Sequence, residues 1–140
     1  MSKVLGIGMD MVDIRRISRL LEMFPRRFSM QFSDKEREVA MQHNRPAEKF
    51  AKFWTAKEAC VKSIGTGFRE EINWRTISIK HDNLGKPYLV FTQKSRDFLK
   101  SRVAHPRFHL TIGDEPPYAY ACAIFCDESH NFHNKAKEIK

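Results

Sequence analysis

The chain opens with a period near two. Over residues 4–13, Gly6, Gly8 and Asp10 fall on one face of a predicted strand, and Leu5, Ile7 and Met9 on the other. Two glycines weaken a strand, so they mark a close approach of backbone or ligand. Asp10, on that glycine face, reads by itself as a strand-end aspartate. The period then becomes helical. Asp13 is a fitting N-cap for a helix over 14–24, with Pro25 helping to end it. Ile14, Ile17, Leu20, Leu21 and Phe24 form its apolar face, and Arg15, Arg16 and Arg19 the opposite one, with Met23 beside them. Ser33 and Glu36 make a capping box that predicts a short helix to about residue 43. Asn44, Arg45 and Pro46 break it. Pro46 suits the first turn of a long helix over 47–64, and Gly65 its left-handed C-terminal residue.

This long helix carries one fault in its pattern. At about 100° per residue, Ala47, Phe50, Ala51, Trp54 and Val61 share an arc, and Glu58 falls in the middle of it. A carboxylate in an apolar stripe is costly unless it is paired or bound to a cation. Lys62 is placed one turn on, where it could pair with Glu58 along the helix.

Downstream the period shortens again. Strands are predicted over 74–81 and 86–91 around an Asp82-Asn83-Leu84-Gly85 turn, followed by a helix over 92–103 capped by Thr92. A second strand pair spans 108–112 and 118–125. Residues 129–140 hold few apolar anchors, so a frayed tail is expected there, and its His130 and His133 belong to a polar tail more readily than to a metal site. The order of elements gives an α+β fold: a single domain over 1–128, with a long helix packed on antiparallel strands. So small a domain leaves apolar edges for oligomerisation to cover.

Charge and cysteines narrow the partners. The formal net charge of +8 calls for an acidic one: nucleic acid, anionic membrane, acidic protein or polyphosphate ligand. Arg26 and Arg27 extend the one-signed face of the first helix, which favours docking of an acidic surface. A basic nucleic-acid-binding module without catalysis is the alternative reading, although no aromatic stacking pattern is interleaved with the arginines. Cys60, Cys122 and Cys126 lack zinc-site spacing, sit among apolar residues and read as reduced thiols, pointing to the cytoplasm. No apolar run approaches membrane-spanning length, and no signal-peptide pattern opens the chain.

Three segments together resemble the 4′-phosphopantetheinyl transferase superfamily, in its small bacterial form. The opening Gly6-Ile7-Gly8-Met9-Asp10-Met11-Val12-Asp13-Ile14-Arg15-Arg16-Ile17 is similar to the family's G-x-D-x-V-[DE]-I-x-R-I. Residues 53–67 are similar to its F-x-x-K-E-A-x-x-K-x-x-G-T-G, and this is the most specific match. The third, His109 to Glu115 followed by Tyr118-Ala119-Tyr120-Ala121, resembles the family's last strand pair more loosely. Asn83-Leu84-Gly85-Lys86-Pro87 is similar to its G-K-P hairpin. The chain departs from many bacterial members at Phe53 and Trp54, at Ser29, Met30 and Gln31, and at Gly113-Asp114-Glu115.

The resemblance implies transfer of 4′-phosphopantetheine from coenzyme A to a serine of apo acyl carrier protein, with magnesium, releasing adenosine 3′,5′-bisphosphate. It implies metal ligation by Asp10 and Glu58, with Lys62 on the phosphate and orienting Glu58. Glu58 is then the first candidate base and His109 the second. Lys57, on the edge of the apolar arc, is expected near the phosphate or the carrier, and Gly65, Thr66 and Gly67 beside the ligand through their backbone. Asn83, Gly85, Lys86 and Pro87 are expected to border the nucleotide, where a plain hairpin turn explains them almost equally well. Carrier docking is expected on the first helix: Arg16 by motif, and Arg15, Arg19, Met23, Arg26 and Arg27 by position on the wheel. A homotrimer with shared active sites is the expected assembly.

Overall fold

The computed structural model describes residues 2–128, so the expected tail at 129–140, with His130 and His133, lies outside the described residues. In chain order the elements are β1 (Ser2–Asp13), α1 (Ile14–Met23), α2 (Pro25–Ser29), α3 (Asp34–Gln42) and α4 (Pro46–Ile64). Then come β2 (Ile77–His81), β3 (Pro87–Phe91), α5 (Gln93–Arg102), β4 (Pro106–Glu115) and β5 (Tyr118–Glu128). β2 and β3 form the expected hairpin. The last strand pair does not stand alone. β1 joins it in one antiparallel sheet ordered β1-β5-β4.

Local signals account for most boundaries. Asp13 caps α1 by accepting from Arg15 N at 2.9 Å. The capping box closes α3: Glu36 N donates to Ser33 Oγ at 3.1 Å, and Ser33 N donates to Glu36 Oε1 at 2.8 Å. Gly65 ends α4 at φ +83°, with its N–H on Val61 O. Two expectations change. Pro25 does more than stop α1; it opens α2, whose Phe28 is buried in the core. Residues 74–76 form a turn rather than strand, because Asn73 and Thr76 satisfy each other's backbone groups.

The sheet has one small-residue face. Ala119, Ala121 and Ala123 of β5 are fully buried and lie in register with Val12, Asp10 and Gly8 of β1. α4 packs on this face, and the glycines explain how closely. A Cβ at Gly8 would sit 1.9 Å from Ala59 O, and one at Gly6 would sit 1.9 Å from Ser63 O. The approach foreseen for this strand is therefore that of a helix backbone.

α4 also differs from a surface helix with one apolar arc. Phe50, Ala51, Phe53, Ala56, Lys57, Ala59, Cys60 and Val61 are all buried, so the helix is enclosed on most sides. The line Trp54, Glu58, Lys62 is its more open edge. Beside that edge, on the face turned to α3, lies a buried ion pair. Lys57 Nζ donates to Glu36 Oε1 at 2.7 Å, to Trp74 O at 2.7 Å and to Gln31 O at 3.3 Å. The other oxygen of Glu36 accepts from Ile79 N at 2.9 Å. One carboxylate thus ties α3, α4 and β2 together. Burial pulls the Lys57 pKa below the ordinary lysine range, and the charge of Glu36 opposes that pull.

Breaking such a pair from one side leaves an uncompensated buried charge. Glu36→Ala is expected to lower stability by about 3–5 kcal/mol, measured as a shift in urea midpoint at unchanged slope. Gly8→Ala should lower it by about 1–3 kcal/mol or more through overpacking against Ala59 O. Wild-type melting in either variant would contradict this account of the core.

Candidate active site

Asp10, Glu58 and Lys62 are brought together by the contact of β1 with α4. The register of β1 turns Asp10 to the helix face beyond the glycines, and the open edge of α4 supplies the other two. Lys62 does not pair with Glu58 as its spacing suggests. Its Nζ reaches across to the strand, 3.1 Å from Asp10 Oδ1 and 3.0 Å from Met9 O. Glu58 is left without a hydrogen bond or ion pair among the described residues. Burial pushes its carboxyl above the ordinary carboxylate range and the charge of Asp10 adds to this, while Lys62 and Arg16 pull the other way. An under-compensated carboxylate beside a second one is a fitting donor set for a hard divalent cation. No group of three or more His, Cys, Asp or Glu that could hold a metal occurs among the described residues. Two protein oxygens with the remainder from phosphate and water suits magnesium, which keeps several waters.

Lys57 must be withdrawn from the ligand-facing set. Its ammonium is fully buried and committed to Glu36 and two carbonyls, on the face of α4 turned to α3. Gly65, Thr66 and Gly67 form the turn that follows α4. Gly67 stands at φ +69° with open space where a Cβ would be, so backbone conformation alone requires glycine there. The same holds for Gly85 at φ +83° in the β2–β3 turn, where Asp82 Oδ1 accepts from the backbone of Leu84 and Lys86.

The remaining expected residues lie elsewhere in the chain. His109 pairs in register with Ile124, and Ile124 with Ile7, on the sheet face turned away from α4. It is 3.9 Å from Glu128. Lys86 and Pro87 line a cavity of about 460 Å³ together with Arg107, His109, Thr111 and Ile124. Asn83 and Gly85 are exposed at the tip of the adjoining turn. Within the chain the expected site is thus in two halves on opposite faces of one sheet. The outer face is apolar and open: Ile7 is 66 % exposed, Met9 67 % and Met11 60 %. Tyr118 and Tyr120 continue it, and the Tyr120 ring lies over Gly113, where a Cβ would clash.

α1 presents the basic face foreseen for it. Arg16, Arg19, Arg26, Arg27 and Met23 are exposed, whereas Arg15 is folded back onto Asp13 in a 2.7 Å ion pair. That pair holds the Asp13 carboxyl at about 2, well under its usual value. Arg16 is near enough to Glu58 to act on its charge, so the basic face adjoins the carboxylates. Two features escaped the sequence reading. Lys52 bridges to Asp114 at 2.9 Å, fixing the end of β4 to α4. Trp54 packs on Trp74, which stacks with Phe68 beyond Gly67. Neither carries a local signal, since the partners are remote in sequence; only the departures at Trp54 and Asp114 marked the places.

Comparison with known proteins gives the family and the fold. Residues 6–124 match the family model of the 4′-phosphopantetheinyl transferase superfamily. A holo-[acyl-carrier-protein] synthase of Methylorubrum populi is 40% identical over 126 residues, spanning 86% of this chain and 92% of that protein. One from Azorhizobium caulinodans is 39% identical over 129 residues, spanning 89% and 95%. The crystal structure of the synthase from Neisseria meningitidis superposes with a TM-score of 0.82 at 32% identity, covering 88% of this chain and 98% of that one. A Bacillus anthracis synthase in complex with coenzyme A (3′,5′-ADP) gives 0.72 at 28% identity, covering 89% and 98%. The chain belongs to the 4′-phosphopantetheinyl transferase superfamily, and it is a transferase with the α+β fold of the holo-[acyl-carrier-protein] synthases.

Proposed function

We propose that this chain transfers the 4′-phosphopantetheine group of coenzyme A to a serine hydroxyl of an apo acyl carrier protein. The observation that carries this reading is the meeting of Asp10, Glu58 and Lys62 beside the basic face of α1. The names of the relatives, and the coenzyme A complex of the Bacillus anthracis synthase, support it. In the reaction the serine oxygen bonds to the β-phosphorus of coenzyme A. The bond from that phosphorus to the bridging oxygen breaks, and adenosine 3′,5′-bisphosphate leaves with the electron pair.

Each group then has a task. Glu58, directly or through a metal-bound water, takes the serine proton as the first candidate base. Lys62, half-exposed on its flexible stem, places an ammonium on the diphosphate and offsets charge that grows on the leaving oxygens. Asp10 and Glu58 hold magnesium, which when bound supplies further charge stabilisation to the diphosphate. Arg16, Arg19, Met23, Arg26 and Arg27 receive the acidic carrier, with Arg15 contributing once it turns from Asp13. The backbone of Gly65, Thr66 and Gly67 borders the ligand from the end of α4.

The two halves of the site are reconciled by assembly. In a homotrimer formed through the apolar outer sheet face, one subunit's His109, Asn83, Gly85, Lys86 and Pro87 come to serve a neighbour's Asp10 and Glu58. The exposure of Ile7, Met9, Met11, Tyr118 and Tyr120 supports this, because so continuous an apolar face on one subunit is a mark of interaction. His109 remains the second candidate base only in that shared arrangement. The cysteines, all free among the described residues, accord with a reducing compartment such as the cytoplasm. No helix among the described residues is long and apolar enough to cross a membrane.

Incubating apo carrier protein with coenzyme A and magnesium should add a phosphopantetheine mass, read by mass spectrometry. Asp10→Ala and Glu58→Ala should each lower the rate by about 100-fold or more while keeping the wild-type circular dichroism. Normal turnover by both variants would remove the carboxylates from the mechanism. Analytical ultracentrifugation should find a trimer for the wild type. Ile7→Glu should sediment as a monomer and lose activity although it lies outside the carboxylate cluster. An active monomer would refute the shared site.

A further inference from the structure

Lys62 is the one cation in contact with Asp10 among the described residues. The Asp10 side chain is only 17% exposed, while that of Lys62 is 52% exposed. The carboxylate is therefore held in place and the ammonium can leave. Its second bond, to Met9 O at 3.0 Å, anchors the ammonium to the strand backbone beside the carboxylate. Glu58, one helical turn from Lys62, is not used by it. This arrangement puts a monovalent side-chain cation on one of the two oxygen donors that a divalent cation would take. The two cations repel, so an ammonium on Asp10 and an ion shared by Asp10 and Glu58 disfavour each other.

A diphosphate is the natural agent to draw the ammonium off Asp10. The ammonium offers three rotatable donors on a flexible stem, and a phosphate accepts charge-assisted hydrogen bonds more strongly than a carbonyl does. We propose that Lys62 is a place-holder on Asp10, drawn away by the coenzyme's diphosphate, so that divalent-cation binding and diphosphate binding are coupled through this one side chain. The proposal rests on Asp10 and Glu58 being the cation's protein ligands. Lys62 acts here as a positioning residue, in addition to its role toward the leaving group. Coupling of this kind is reciprocal: a cation on Asp10 frees the ammonium for the diphosphate, as the diphosphate frees Asp10 for the cation.

The test uses Mn²⁺ as probe, with free Mn²⁺ read by electron paramagnetic resonance on the full chain, with and without coenzyme A. Lys62→Met retains the apolar stem and removes the charge. It should bind Mn²⁺ about 10-fold more tightly than wild type without coenzyme A, within the usual span of coupling between two ligands. The ratio of affinities with and without coenzyme A should shrink in this variant. Arg16→Gln is the control for charge alone, because Arg16 acts on Glu58 without contacting Asp10. It should change Mn²⁺ affinity by less than about 3-fold, well under a typical coupling factor. Equal gains in the two variants, or no gain in Lys62→Met, would overturn the place-holder while leaving the metal assignment standing. Bound Mn²⁺ that survives Asp10→Asn unchanged would instead overturn the metal assignment, and the place-holder with it.

Discussion

The backbone of α4 lies on β1 with no side chain between them, because Gly6 and Gly8 present only hydrogens to Ser63 O and Ala59 O. Alanines at 119, 121 and 123 keep the neighbouring strand equally low beneath the helix. The position of Asp10 is a result of this packing. Two residues beyond Gly8 on the same face, it meets the helix just where α4 opens toward solvent. A wider gap, as any side chain at Gly8 would demand, would carry Asp10 away from Lys62 and Glu58 together. The geometry of the carboxylates is thus set by the absence of side chains a few ångströms away, and the rest of the core is arranged to keep it so.

Much of this could be read from the chain itself. The caps at Asp13, Ser33, Thr92 and Gly65 lie where local chemistry places them, and the strand pairs follow their alternation. The segments that resemble the family were legible as motifs. What stayed hidden depends on residues far apart in sequence. Lys57 lies on the edge of the apolar arc on a wheel, and only Glu36, on another helix, makes it a core residue. Lys62 has a partner at the right helical spacing yet takes one from the strand. Glu58 drew notice as a carboxylate inside an apolar stripe, but the helix is enclosed elsewhere and Glu58 lies on its open edge. The anomaly was real, and the face it was assigned to was not.

The sheet has two dissimilar sides. Toward α4 it is small and closely packed; on the other side it carries methionines, tyrosines and His109. An alternating strand records both, since each residue step changes the face. Asp10 therefore has Met9 and Met11 as sequence neighbours that look the opposite way. The closely packed face and the apolar outer face are encoded in the same few residues, a feature that ties any change in β1 to both.

Beside the open edge of α4 lies a run of stacked rings. Phe28 stacks on Trp54 at 5.6 Å, Trp54 meets Trp74 at 4.3 Å, and Phe68 stacks on Trp74 at 5.3 Å. The chain has two tryptophans, and both are in this run. Its ultraviolet emission therefore originates from a single locus where α2, α4 and the segment after Gly67 converge. Two indoles so close exchange excitation energy, and Phe68 is partly exposed at the outer end of the row. The protein carries an unlabelled optical sensor of the ground between its basic helix and Glu58.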